Sequence, residues 1–513
     1  MSWHRSVLAA ALALAAVPLG LAPAAADTPG EGASAADARP PGTGDPVYPA
    51  LGTTDYDARS YDLAFTYRPT TRTVDATTVM TARARTALAS LELDALGLDV
   101  HTVRVDGHPA AFRAHDEKLT VVPVRPVRAG AALRVEVAYT ADPRAALPHT
   151  GWVVTPDGFA VAGQPDGAHT VFPCNDRPGD KARFTVAVTA PDELYGVANG
   201  LLTATEQHPD GTTTRRYASR EPMATELLQA SVGRYTVRER RGPDGVPLRD
   251  VVPTARAADL EPALALTPDQ LAWAERHLGP FPFETYGLLP ADTDDPAAFD
   301  FTGLETQTLT LYKPNFLRQP ERQIGSHMMH ELVHSWFGNS VTPETWADLW
   351  LNEGHADLYG LMYRYERGWP DSGGFTTLTD RMRSVYAKGD QWRHDSGPVA
   401  APTAATLFDS QRYTGGALVL FALRERVGVE VFDRIEQAFL RHHRHGTATT
   451  ADFLRTADEV SGQPLSGFLR EWLYGERTPP MPGHPDWTVD PVNPAAPDAT
   501  GRAGGVPHGS GTL

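Results

Sequence analysis

The chain has 513 residues, of which 41% are hydrophobic and 21% are charged, a composition typical of a globular protein long enough to form two or three cores. Its single cysteine, Cys174, excludes an intramolecular disulfide and hence a small disulfide-stapled scaffold. Asp and Glu (63) exceed Lys and Arg (46) by 17, and no run of basic residues could neutralise a row of phosphates. Nucleic acid and anionic membrane surfaces are therefore not expected as partners.

Residues 1–26 have the pattern of a secretory signal, in which a basic residue precedes an apolar stretch and Ala24–Ala26 provide a small-residue cleavage site. An uncleaved membrane anchor is the alternative, but Pro18 and Gly20 leave the apolar stretch short for a membrane span. We therefore expect a secreted, extracellular protein with no membrane contact after signal cleavage. Residues 27–50 are rich in Gly, Pro and Ala, which predicts a flexible leader.

Hydrophobic patterning divides the remaining chain into two domains and a tail. In residues 51–238, short runs that alternate apolar and polar residues, such as Leu133–Tyr139, are separated by turn residues, which predicts a β-sandwich domain. Residues 239–489 change to helical spacing, with Pro near helix starts and Gly after helix ends. Residues 490–513 return to Pro, Gly and Ala and are predicted to be disordered. The expected fold class is an α+β multidomain protein.

Two strong helical segments, 320–337 and 350–367, carry the most informative motif. A His-Glu-x-x-His sequence places His330 and His334 one turn apart on one helix face, so that both imidazoles can reach one ion. After eighteen intervening residues, Glu353 lies at the start of the next helix. Two histidines and one carboxylate are the ligands of a catalytic zinc, which keeps a fourth position open for water. A structural zinc would have all four positions filled, and a harder ion would choose more oxygen ligands.

Glu331 lies beside the two histidines and is the candidate base. Because zinc lowers the pKa of its bound water to about 7, Glu331 could take a proton from that water at neutral pH and pass it to a leaving amine. The alternative interpretation is a pair of histidines satisfied within the core. Glu353 and the buried side of the helix disfavour that alternative.

The spacing and residue types resemble the aminopeptidase N and leukotriene hydrolase family of gluzincin metallopeptidases, whose third ligand lies in an Asn-Glu-Gly triplet, as it does here. The resemblance implies a thermolysin-like, mostly helical catalytic domain and one zinc ion bound by His330, His334 and Glu353. It also implies that the hydroxyl of Tyr413 stabilises the tetrahedral intermediate. Gly415 stands where the family usually has Lys.

The same resemblance implies how the substrate is bound. The segment 302–306 aligns with the family's Gly-x-Met-Glu-Asn strand, so Glu305 is expected to bind the free amino terminus and Gly303 to line the same site. Gln164 falls where family members have a Gln or Glu that contacts this amine. Three positions of the segment depart from the family pattern, namely Thr302, Leu304 and Thr306.

The sequence thus predicts a secreted zinc aminopeptidase that removes residues one at a time from peptides with a free amino terminus. The alternatives are a zinc endopeptidase, another zinc hydrolase such as an epoxide opener, and a non-catalytic binding module on the same fold. Intact Glu331 and Tyr413 argue against the binding module, which has no need for a base. Larger family members continue into a C-terminal helical domain beyond the position of Trp472–Tyr474, so a short form with a more open site is expected.

Overall fold

The computed structural model describes residues 44–292 and 301–493, all of which belong to one compact unit. The predicted signal (1–26), most of the predicted leader and most of the predicted tail lie outside the described residues. Residues 44–50 of the predicted leader are described, and Val47 there is buried against Trp346, Leu349 and Leu407 rather than in a flexible segment. Within the described ranges, no helix combines the length and apolar character that a membrane crossing requires.

Strands dominate the first part of the described chain, as the alternating pattern predicts. In β1 (Tyr56–Arg68) the side chains of Tyr61, Leu63 and Phe65 are buried while those between them are exposed, because successive side chains of a strand point to opposite faces. The strands that follow are β2 (Thr73–Ala84), β3 (Leu91–Asp94), β4 (Leu98–Val105), β5 (His108–Pro109), β6 (Ala111–His115), β7 (Lys118–Val122), β8 (Ala132–Ala141), β9 (Trp152–Val154), β10 (Phe159–Val161), β11 (Arg183–Pro191), β12 (Tyr195–Ala198), β13 (Leu201–Gln207), β14 (Thr212–Ala218), β15 (Ala230–Gly233), β16 (Tyr235–Arg241) and β17 (Pro247–Pro253).

An eight-stranded sheet organises this β-rich domain, in the order β13-β14-β11-β1-β2-β8-β4-β5. Adjacent strands of this sheet run antiparallel, except β1 and β11, which run parallel. Tyr61 of β1 lies between Met80 of β2 and Phe184 of β11. The sheets β3-β7-β6 and β12-β15-β10-β9 contribute side chains such as Leu119 and Phe159 to the same core. Burial of apolar side chains between these sheets stabilises the domain.

Helices dominate the second part, and a β-rich domain followed by a helical catalytic domain is therefore confirmed. The helices are α1 (Ala257–Leu264), α2 (Thr267–Leu278), α3 (Pro314–Leu317), α4 (Glu321–Val333), α5 (Trp350–Glu366), α6 (Leu378–Ala387), α7 (Gly389–Ser396), α8 (Thr414–Val427), α9 (Val429–His442), α10 (Thr450–Ser461) and α11 (Ser466–Tyr474). Short strands accompany them, namely β18 (Leu288–Leu289), β19 (Gly303–Leu304), β20 (Thr310–Tyr312), β21 (Thr342–Pro343) and β22 (Thr447–Ala448). β20 pairs with β18 on one side and with β19 on the other.

The helix that carries the His-Glu-x-x-His motif ends earlier than the sequence predicts. The predicted segment extends to 337, whereas α4 ends at Val333 and His334 is its C-cap. The chain then turns through Gly338, whose φ of +128° favours glycine, and the backbone N–H of Asn339 donates to His334 O at 2.9 Å. This turn keeps His334 on the last helical turn while directing the following residues away from the helix axis.

α5 is the central helix of the catalytic domain and packs against α4 and α8. Two glycines allow α5 and α8 to meet at backbone contact: a Cβ added at Gly354 would lie 2.9 Å from the carbonyl carbon of Gly416, and one added at Gly416 would lie 2.9 Å from Gly354 Cα. A glycine inside a helix costs roughly 0.5–1 kcal/mol relative to alanine. Here the close approach sets the spacing between Glu353 on α5 and Tyr413 at the start of α8.

Replacing Gly416→Ala is expected to lower the free energy of unfolding by about 1–3 kcal/mol, because the added methyl group forces two buried helices apart. Gly467→Ala on α11 is the matched control, since a Cβ there meets no atom within 4 Å. Urea unfolding of both variants measures the difference. Equal midpoints for the Gly416 and Gly467 variants would show that the helix contact tolerates a side chain.

Candidate active site and metal centre

Three predicted metal ligands converge between α4 and α5. His330 Nε2 and His334 Nε2 are 3.1 Å apart, and Glu353 Oε2 lies 3.3 Å from the former and 3.5 Å from the latter. All three side chains are buried. The helical spacing of the histidines and the start of α5 together place three donor atoms around one point.

The donor atoms have the spacing that zinc requires. With ligand bonds of 2.0–2.2 Å and tetrahedral angles, neighbouring ligand atoms lie about 3.3–3.5 Å apart, and the three measured separations span 3.1 to 3.5 Å. Glu353 Oε2 is buried without a hydrogen bond from any described residue, as expected for an oxygen reserved for a cation. Two nitrogens, one oxygen and an open fourth position fit a catalytic zinc.

The outer nitrogens of both histidines face acceptors. His330 Nδ1 lies 3.0 Å from Asp357 Oδ1, and Asp357 in turn accepts a hydrogen bond from Thr414 Oγ1 at 2.8 Å. His334 Nδ1 lies 3.1 Å from the carbonyl oxygen of Phe337. These contacts place the ring protons on the Nδ1 atoms and leave each Nε2 lone pair for the metal.

Electrostatics couple metal binding to proton release. Burial lowers the pKa of His334, but the carboxylates of Glu305 and Glu353 outweigh it and raise that pKa to about 9. Burial raises the pKa of Glu353, but the two histidines outweigh it and lower the pKa to about 2. Before a metal binds, protons therefore reside on the histidines, and they must leave when Nε2 becomes a ligand.

Glu331 lies on the cavity side of α4, beneath strand β19. Burial raises its pKa to about 8, and the positive charge of a bound metal would lower it again. His327 Nε2 lies 3.3 Å from Oε1, while Oε2 is buried with no hydrogen bond in the described part of the chain. A Cβ at Gly303 would lie 2.7 Å from Glu331 Oε1 and 2.9 Å from Tyr312 Cε1. Only glycine leaves room for this carboxylate.

Tyr413 immediately precedes α8 and reaches the same cavity. Its ring lies nearly parallel to that of His330, at an interplanar angle of 9° with the centroids 6.0 Å apart. Burial, reinforced by the charge of Glu353, raises the pKa of the phenol well above its usual value. The hydroxyl therefore remains protonated at neutral pH and can donate a hydrogen bond.

The β-rich domain contributes to the site through Gln164. Its Nε2 donates to Glu305 Oε1 at 2.7 Å, and Asn339 Nδ2 donates to the backbone oxygen of Glu305 at 2.7 Å. One potential metal-ligand atom from each of Glu305, Glu331 and His334 lies within 4.8 Å of the other two. A carboxylate fixed beside the catalytic groups is thus available to a positively charged ligand.

One cavity of about 320 Å³ brings all the predicted site residues together. Its lining includes every one of them, namely Gln164, Gly303, Glu305, His330, Glu331, His334, Glu353 and Tyr413.

Further residues of the cavity were not predicted. His327 precedes Glu331 by four positions, a helical spacing that could have indicated it. Arg381 and Lys388 also line the cavity. Neither the guanidinium group of Arg381 nor the ammonium group of Lys388 donates a hydrogen bond to a described residue. Arg381 Nε lies 3.7 Å from Asp371 Oδ2. No local pattern distinguishes these two cations from ordinary helix-surface residues.

Comparison with known proteins identifies the family. The Peptidase M1 N-terminal domain model matches residues 57–227, and the Peptidase family M1 domain model matches residues 263–472. The chain therefore belongs to peptidase family M1, which confirms the resemblance seen in the sequence. The family identifies one zinc ion as the cofactor, and the group of His330, His334 and Glu353 is the candidate site for it.

Curated relatives match over part of their length. Glutamyl aminopeptidase of Mus musculus is 28% identical over 322 residues, covering 60% of this chain and 33% of the relative. Aminopeptidase M1 of Arabidopsis thaliana is 27% identical over 319 residues, covering 60% of this chain and 36% of the relative. The matched region thus spans about a third of each of these relatives.

Solved structures match over nearly their full length. A mutant M1 zinc metallopeptidase from Deinococcus radiodurans, bound to a Tyr-Ser-Ala substrate, is 29% identical with a TM-score of 0.74, covering 86% of this chain and 100% of that chain. A two-domain M1 zinc metallopeptidase mutant bound to L-arginine has a TM-score of 0.73 and is also 29% identical, covering 86% of this chain and 99% of that chain. The protein shares the fold of these two-domain enzymes.

Gly303→Ala is expected to reduce kcat about 100-fold, the scale of losing a positioned base, because the methyl group displaces the Glu331 carboxylate. The zinc content should stay unchanged, since the three atoms nearest to a Cβ at Gly303 belong to Glu331 and Tyr312 rather than to a metal ligand. Steady-state kinetics combined with metal analysis separate the two effects, with Gly467→Ala as the control. Full turnover in the Gly303 variant would mean that Glu331 has room to move without loss of function.

Proposed function

We propose that the protein is a zinc aminopeptidase that hydrolyses the first peptide bond of peptides with a free amino terminus. The observation that carries this proposal is the buried carboxylate of Glu305, 4% exposed, held by Gln164 beside the zinc ligands. When bound, zinc supplies Lewis-acid polarisation of the scissile carbonyl and a water of lowered pKa. The chain's own residues supply substrate recognition and proton transfer.

Recognition of the substrate amine rests on Glu305. A buried carboxylate near a second carboxylate, Glu331, is costly unless a cation compensates it. The α-ammonium group of a peptide supplies that charge and can donate to Glu305 and to the amide oxygen of Gln164. A mid-chain amide brings no charge to this position, which favours an exopeptidase over an endopeptidase.

Proton transfer and oxyanion stabilisation complete the mechanism. Glu331 Oε2, which has no partner among the described residues, accepts a proton from the attacking water and returns it to the leaving amine. The protonated hydroxyl of Tyr413 donates to the oxygen that becomes negative in the transition state. Gly303 leaves space for the base and presents the strand backbone along the substrate.

Domain organisation and location follow from the sequence. We propose a β-sandwich domain over residues 51–238 and a thermolysin-like catalytic domain over 239–489, a division supported by the two family models. The pattern of residues 1–26 supports secretion to the extracellular space with removal of a signal.

Amino-acyl anilides with a free amine should be cleaved, while their N-acetylated counterparts should not, because acetylation removes the charge that Glu305 binds. A zinc chelator should abolish cleavage and added zinc should restore it. Glu305→Ala should raise KM about 10–100-fold, the loss expected for a charged hydrogen bond, with zinc still bound.

These assays also separate the alternatives. Cleavage of both substrate sets would indicate an endopeptidase, and a zinc-loaded protein inactive on both would indicate a binding role or another class of substrate. Unchanged kinetics of the Glu305 variant on free-amine anilides would refute its assignment as the amine anchor.

Arg381→Ala should raise KM about 10-fold for a tripeptide with a free carboxyl terminus, because the guanidinium of Arg381 is positioned in the cavity without a hydrogen-bonded partner. KM for the C-terminally amidated tripeptide and for amino-acyl anilides should not change. Arg383→Ala on the same helix is the control, since Arg383 is exposed and lies 3.4 Å from Asp486. A selective effect on substrates with an acidic side chain would instead assign Arg381 to side-chain recognition, and an equal effect on all substrates would exclude carboxylate binding.

A further inference from the structure

A second group of potential metal ligands lies in the β-rich domain, away from the lining of the active-site cavity. Glu117 lies in the turn between β6 and β7, His149 lies between β8 and β9, and His169 lies in a short helical turn at Ala168–Thr170. No residue of this group lines the active-site cavity. The group is therefore separate from the candidate zinc site.

One potential ligand atom of each residue in this group lies within 4.8 Å of the others, a looser arrangement than that of the zinc site. His149 Nε2 and His169 Nε2 are 3.5 Å apart. The Glu117 carboxylate approaches both rings, with Oε1 at 3.9 Å from His149 Nε2 and Oε2 at 3.8 Å from His169 Nε2. The two separations from Glu117, which involve different oxygens, exceed the edge of a tetrahedral zinc site, about 3.3–3.5 Å, by a few tenths of an ångström. The Glu117 side chain is partly exposed, so it can rotate to bring one oxygen to both nitrogens.

Buried groups orient His169 toward the centre of the cluster. The Nδ1 atom of His169 lies 2.6 Å from Asp176 Oδ2. Two hydrogen bonds hold Asp176 in place: Thr225 Oγ1 donates to its carboxylate at 2.8 Å, and the Asp176 backbone N–H donates to Asp94 Oδ2 at 2.8 Å. The side chains of His169 and Asp176 are 0% and 2% exposed. A carboxylate on Nδ1 directs the lone pair of Nε2 outward, the arrangement that Asp357 gives to His330 in the zinc site.

We propose that Glu117, His149 and His169 bind a second divalent transition-metal ion, for which zinc is the best match. Two imidazoles and one carboxylate suit zinc, whereas Mg²⁺ and Ca²⁺ prefer oxygen ligands. Glu117 and His149 are 38% and 25% exposed, so water can occupy the fourth position. His149 also has Asp166 Oδ2 at 3.9 Å from its Nδ1, available as an outer partner.

The metal would link three separate segments of the domain. It joins the β6–β7 turn and the β8–β9 connection to the segment that contains His169, and Gln164 lies five residues before His169 on that segment. Since Gln164 donates to Glu305 in the active site, the second metal would hold the segment that positions it.

Metal analysis of the full-length protein after dialysis against excess free zinc tests this proposal. The unmodified protein should hold two zinc ions per chain. The His149→Ala variant should hold one zinc ion, and so should the double variant His330→Ala/His334→Ala. The combination of all three substitutions should hold none. His101→Ala is the matched control, because His101 is an exposed strand histidine bonded to Thr140 Oγ1, and it should retain two.

Thermal unfolding provides an independent measurement if a variant folds poorly. In the His330→Ala/His334→Ala background, zinc should raise Tm, because a ligand that binds only the folded state stabilises it, and adding His149→Ala should remove that shift. One zinc per chain in the unmodified protein, or a second zinc retained after His149→Ala, would overturn the proposal. Neither zinc content nor Tm depends on enzymatic activity, so both results are independent of whether the protein is an aminopeptidase.

Discussion

The concentration of buried charge in one cavity is the constraint on which the active site depends. Four buried carboxylates and two buried histidines are collected there beside the partly buried His327, namely Glu305, Glu331, Glu353, Asp357, His330 and His334. Charged groups removed from water are costly unless they are paired or coordinate a metal. Zinc compensates the ligand set, and in the proposed function a substrate ammonium compensates Glu305. The proposed selection of the first peptide bond then depends on where these two positive charges are held.

Rigid packing holds these charges in place. Contact between Gly354 and Gly416 brings α5 and α8 together at the backbone, and the hydrogen bond from Thr414 to Asp357 connects the same helices behind His330. Gly303 allows strand β19 to lie against the base. Glycines occur where the backbone must approach a functional group or another helix. Each glycine inside a helix lowers the stability of that helix relative to alanine, and the close helix packing that it allows offsets this loss.

The two domains are joined by polar contacts near the site. Lys181 Nζ donates to Asn339 O at 2.8 Å and to Ser340 O at 3.0 Å, and burial lowers its pKa to about 7. Arg177 of the β-rich domain pairs with Glu344 at 2.8 Å. Because Asn339 also holds the backbone of Glu305, the position of the Glu305 carboxylate depends on the domain interface as well as on strand β19.

Local features were determined by the sequence itself. Helical periodicity places His330 and His334 on one face, and alternation of apolar residues produces the strands, because both depend on the 3.6- and 2-residue repeats of the backbone. Assignment of Glu305 and Tyr413 needed the family resemblance, since neither lies in a local repeat that indicates chemistry.

Only the tertiary structure decided which distant residues meet. Gln164 contacts Glu305 across 141 positions of sequence, Arg381 and Lys388 reach the cavity from another helix and its end, and three separate turns bring Glu117 to His149 and His169. The point at which α4 ends was also decided by the turn at Gly338 rather than by periodicity. Such contacts depend on how sheets and helices pack, and packing is set by the sum of many weak interactions that no short segment contains.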